Sequence, residues 1–132
     1  MGLGQEILSA LESIRADIKT YAESKQYYLI AYDTEPDLIP GFPALAYFVS
    51  AISSTPASLS LGSSYDFSAN VILYKKLPLS GDAQLDDDVS DAIDYFVSRG
   101  YEVVSVGMED TSVGSSLLRR AEITIKLSKL LR

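Results

Sequence analysis

The stretch GDAQLDDDVSDAIDYFVSRGYEVVSVG, residues 81–107, decides the fold, because it reads as a capped helix running straight into a strand. Asp82 predicts an N-cap. Asp86, Asp87 and Asp88 fill the opening turns, where the positive end of the helix dipole favours carboxylates. Leu85, Val89, Ala92, Ile93, Phe96 and Val97 recur at three- and four-residue steps, so one helical face is apolar. Arg99 and Gly100 predict a cationic last turn and a left-handed stop. The β-branched run from Tyr101 to Val106 follows at once. A helix with one apolar face needs a sheet or a second helix to cover it, and the flanking segments supply both.

Upstream, residues from Leu3 to Lys25 carry Ile7, Leu11, Ile14, Ile18 and Tyr21 in a narrow stripe, which predicts an amphipathic helix packed on a sheet rather than on a coiled-coil partner. Residues 27–33 read as a first strand. The next segment, 33–43, carries Pro36, Pro40, Gly41 and Pro43, which forbid a regular element. Residues 43–52 are apolar throughout and predict a strand buried on both faces, whereas the Ser-rich 53–64 segment predicts a loop or a loose hairpin arm. A further strand is expected over 66–76. Beyond the central helix and its strand, 107–116 reads as a polar turn. The closing strand alternates most cleanly, with Ala121, Ile123, Ile125 and Leu127 on one side and Arg120, Glu122, Thr124 and Lys126 on the other. The expected order is α-β-β-β-α-β-β. This is a single α+β domain over residues 1–132, with a largely antiparallel or mixed sheet and helices mainly on one face.

Composition narrows the chemistry. At 132 residues, 47% hydrophobic and 22% charged, the chain has the material for one real core. A net charge of −7 argues against a free-standing nucleic-acid binder, which needs clustered cations to displace counterions. With no cysteine and no histidine there is no thiolate ligand, no imidazole ligand and no imidazole base. The longest apolar run is too short to span a bilayer, so a soluble protein without a membrane partner is expected.

Candidate sites each have a plainer explanation. Asp82, Asp86, Asp87, Asp88 and Asp91 lack the spacing of a calcium loop and fit helix-dipole complementarity. Glu35, Asp37, Glu109 and Asp110 fall in turn-like segments where solvated acids are ordinary. Arg119 and Arg120 read as part of a solvated strand face, or more sharply as intersubunit ion-pair partners for the acidic helix. The 9 tyrosines, among them Tyr27, Tyr28, Tyr32, Tyr47 and Tyr65, suggest assembly surfaces. No catalytic, cofactor or metal residue is expected, and the chain is read as a non-enzyme.

The long opening helix, the Phe42-Pro43-Ala44 entry into an apolar strand, the strand–helix–strand run from Phe67 to Val106 and the closing Arg120–Ile125 strand together resemble the tail terminator proteins of long-tailed bacteriophages. The likeness covers nearly the full length and is one of layout. It implies a structural virion protein of the tail–neck region, assembled in the host cytoplasm as a homo-oligomeric ring, in that family a hexamer. Such a ring caps the tail tube, stops its elongation and docks the head-side connector. Its partners would be the tail tube protein, a neck or connector protein, and a sheath protein as well if the tail is contractile. DNA would only pass through the lumen, and no cofactor is implied. The expected contact elements are the 33–43 loop with Pro36, Asp37 and Phe42, and the 53–64 segment with Thr55, Leu59 and Leu61. The 107–116 turn with Glu109 and Asp110 completes them, joined by Arg119 and Arg120. Another neck ring protein, or a ferredoxin-like regulatory ligand-binding domain, fits the same layout.

Overall fold

A computed structural model of the chain describes residues 2–32, 41, 43–56, 63–76, 85–113 and 116–131. The element order is the expected one: α1 (Leu3–Ser24), β1 (Tyr28–Ala31), β2 (Ala44–Pro56), β3 (Ser63–Lys76), α2 (Leu85–Ser98), β4 (Glu102–Val113) and β5 (Ser116–Leu131). The five strands form a single sheet in the order β1-β2-β3-β5-β4. Only β1–β2 is parallel; every other pairing is antiparallel.

Both helices lie on one face. Ile14, Ile18 and Tyr21 from α1, with Val89, Ala92 and Phe96 from α2, meet Phe67, Val71 and Leu73 of β3 and Ala121, Ile123 and Ile125 of β5. The α1 stripe therefore covers a sheet, as expected, and not a coiled-coil partner. Full burial of a side chain such as Phe96 contributes roughly 2–3 kcal/mol. On the opposite face a smaller cluster buries Ala44, Ala46, Ile72, Tyr74 and Leu118.

The two helices are tied by aromatic rings and by one carboxylate. Tyr21 of α1 sits 4.8 Å from Tyr95 and 5.8 Å from Phe96, and Phe96 meets Tyr101 edge-on at 5.6 Å. Asp17 accepts a 2.8 Å hydrogen bond from the Tyr101 hydroxyl, and its backbone carbonyl accepts one from Tyr95 at 2.9 Å. Arg99 lies over the Tyr95 ring at 4.5 Å and reaches Asp17 at 3.5 Å. Burial first, and then nearby carboxylates, hold the Tyr21 hydroxyl well above the usual phenol range. Tyr101 is raised by burial and by its bond to Asp17.

Each helix ends in the same motif. The Tyr101 amide bonds the Phe96 carbonyl and the Gly100 amide that of Val97, with Gly100 at φ 92°, the left-handed stop its sequence predicts. The Tyr27 and Gln26 amides bond Ala22 and Glu23 in the same pattern, but the left-handed residue there is Gln26, at φ 61°.

Several local expectations need correction. The described part of the 107–116 segment is strand, not turn: β4 runs on to Val113 and β5 begins at Ser116. Its Gly, Asp and Ser content disfavours strand, but register with β5 overrides propensity, with Asp110 opposite Arg119 and Glu109 opposite Arg120. Of the two expectations for the 53–64 segment, loop or hairpin arm, its described part is the arm: Thr55 pairs with Ser64 and Pro56 with Ser63. Among the described side chains of β2, burial on both faces is confined to Ala44, Leu45 and Ala46; Tyr47, Phe48 and Val49 are half-buried and Ser50, Ile52 and Ser53 exposed. Val97, placed by periodicity on the apolar face of α2, is 53% exposed. The Asp82 cap lies outside the described residues.

Candidate functional site

Strands of 12–16 residues outrun the helices that cover them. At about 3.3 Å per residue β5 spans some 50 Å, while α2 at about 1.5 Å per residue spans some 21 Å. The far ends and edges of the sheet are therefore where apolar side chains stay in water.

On β4 these are Val104, Val106 and Met108, each more than 40% exposed, and further along on β5 Leu117, opposite Ser112. A bulge between Val103 and Ser105 returns the strand to register, so that Val106 stands opposite Ile123 and Met108 opposite Ala121, on the helix side of the sheet. Among the described residues β4 has a neighbour on one side only. At the other edge, β1 covers residues 44–47 of β2 and leaves the outer side of 48–56 beyond it. A groove of about 500 Å³ runs there beside α1, lined by Arg15, Tyr32, Tyr47, Phe48 and Val49. It continues past Leu11 to Ser50 and Ile52.

The helix-free face has a different chemistry. Over β3, β5 and β4, polar side chains pair across the strands. Asn70 donates to Glu122 at 2.6 Å, Thr124 to Asn70 at 3.3 Å, and Ser128 to Asp66 at 2.5 Å. Arg120, whose side chain is only 13% exposed, reaches Glu122 at 3.0 Å and Glu109 at 3.4 Å. Lys126 lies 3.6 Å from Glu102 and 3.9 Å from Asp66. Each of these two cations thus faces two carboxylates.

Of the expected contact residues, Glu109, Asp110, Arg119 and Arg120 come together, on adjacent strands rather than in a turn. Arg119 holds Asp110 with two bonds, at 2.8 and 3.3 Å, and its hydrogen bond keeps the Asp110 carboxyl below the usual carboxylate range. Among the described residues these arginines pair within the subunit with Asp110, Glu109 and Glu122 of their own hairpin, and the acidic helix α2 pairs with lysines of the same subunit. That helix spends Asp88 on Lys75 at 2.6 Å and Asp91 on Lys25 at 3.0 Å. Thr55 lies in β2, paired in register with Ser64. Pro36, Asp37, Phe42, Leu59 and Leu61 lie outside the described residues, as does Glu35. Of the five tyrosines proposed for assembly, Tyr28 is 48% exposed; Tyr27, Tyr32, Tyr47 and Tyr65 are half-buried. Gly41 lies against the Tyr28 ring, where a Cβ would stand 3.0 Å from Cδ2.

Sequence reasoning missed the edge row of Val104, Val106 and Met108, although alternation through the bulge holds its signal. No protein-family model matches the chain, and no curated protein matches it either.

Proposed function

We propose that this protein is a ring-forming structural component of a phage tail, a terminator that caps the tail tube and presents a docking surface to the neck. The observation that carries the reading is β4: a 12-residue edge strand with an exposed aliphatic row. Among the described residues that edge is uncovered. An exposed apolar row along it is a hazard for a protein that works alone and an asset for one that is covered by its neighbours. Heterologous contacts of this kind close into rings when the rotation per subunit allows it. The helix-free face supports the same reading. With Arg120 and Lys126 each held between two carboxylates, that face offers little unopposed positive charge to a phosphate backbone, so DNA would pass a lumen lined by it without sticking.

Negative-stain imaging of the purified chain mixed with tail tubes tests the proposal. Caps at one end of the tubes, and halted growth of tubes assembling in its presence, are the expected results. Caps on the portal side instead would point to another neck ring protein. A chain indifferent to tubes would contradict the terminator reading.

A further inference from the structure

We infer that β4 of one copy adds to the outer edge of β2 of the next, at residues 48–56, so that the sheet continues head to tail from subunit to subunit. The inference rests on the self-assembly part of the reading above, not on its tail partner.

Strand sense is the first argument. β2 is antiparallel to β3, β3 to β5 and β5 to β4, so β4 runs opposite to β2. A second copy related by rotation about an axis along the strands therefore brings its β4 antiparallel to β2, the commoner pairing. Length is the second. β1 occupies four residues of β2, and the remaining nine extend for about 30 Å at 3.3 Å per residue, within the reach of a 12-residue β4.

Side chains supply the third argument. Val49 and Ile52 share the helix side of β2 with Leu11 of α1 along the groove. Val106 and Met108 are on the helix side of β4, so a continuous sheet sets one apolar row beside the other. Charge bears instead on the alternative pairing: β4 carries Glu102 and Glu109 on its helix-free side, with side chains 67% and 63% exposed. β4 pairing with β4 in a two-fold dimer would set the same acidic strand against itself.

The absence of cysteine makes the test clean. Single thiols are placed on β2 (Ser50→Cys or Ser53→Cys) and on β4 (Ser105→Cys or Gly107→Cys). All four positions are exposed, and a Cβ at Gly107 meets nothing within 4 Å. The full-length variants are mixed in the four β2-with-β4 combinations, mildly oxidised and run without reductant. At least one combination is expected to give a disulfide-linked dimer, about tenfold or more above either variant alone. The matching double variant should give a ladder of covalent oligomers. A second β4 substitution, Val106→Lys, should abolish the cross-link while the circular dichroism stays unchanged. Cross-linking of a β4 variant with itself, or no combination rising above the singles, would overturn the inference. A chain that cross-links head to tail yet ignores tube ends would keep the contact and lose the terminator reading.

Discussion

Val103 and Val106 belong to the same strand and face the same side of the sheet, yet one packs against the core and the other is 42% exposed. Their partners, Ile125 and Ile123, are both fully buried neighbours on β5. What separates the two valines is the core beneath the helices, against which Val103 packs and Val106 does not. The same contrast runs through the molecule. At the centre, β3 and β5 lie under both helices and hold the fold together. At the edges, β4 and the outer part of β2 carry apolar side chains that the fold leaves in water. On the proposed reading stability and assembly reside in different residues, and substitutions should separate them.

The largest effect is expected at the centre. Phe96→Ala removes a fully buried ring touching Tyr21, Tyr95 and Tyr101, and should cost about 3–5 kcal/mol in urea unfolding. An effect under about 1 kcal/mol would mean that α2 is not a structural lid, and the contrast would collapse. Tyr101→Phe keeps the ring but removes its hydroxyl from Asp17, at a cost of about 1–2 kcal/mol by the same assay.

The same tyrosines set an alkaline limit. With their folded-state pKa values above the ordinary 10.0 shared by the unfolded chain, the unfolded state loses protons first as pH rises. The stabilisation is intact below pH 10 and should decline progressively above it, seen as a falling melting temperature as tyrosinate absorbance appears. A melting temperature flat through this window would contradict the burial of these hydroxyls.

Smaller effects belong to the periphery. Val106→Ser should change the stability of the isolated subunit by no more than about 0.5 kcal/mol, because the side chain is already half in water. Arg119→Ala should leave the melting temperature where an ordinary surface substitution leaves it, since Asp110 opposite it is exposed. A large loss from either would show that the edges are part of the stabilising core after all.

How legible this contrast was depended on the physics of each segment. The α1 stripe, the α2 face and the alternation of β5 are local patterns of period 3.6 or 2, and they appeared as read. Gly100 announced its left-handed stop; the equivalent stop at Gln26 could not be read, because nothing in glutamine marks it. The 107–113 strand was hidden by residues of poor strand propensity, and only pairing with β5 reveals it. Val97 shows the limit of periodicity: it marks a face but not where the covering layer ends. For the expected contact residues, spacing gathered Glu109, Asp110, Arg119 and Arg120 onto one hairpin but could not tell that they would satisfy each other.

The central claim, that the edges exist to be covered by other copies, is tested most directly by sedimentation velocity of the full chain at increasing concentration, beside Val106→Lys. The account predicts that the native chain sediments as a discrete species several times the subunit mass, and that the variant sediments as a folded monomer. A native chain that remains monomeric at every concentration, or a variant that assembles as well as the native protein, would contradict it.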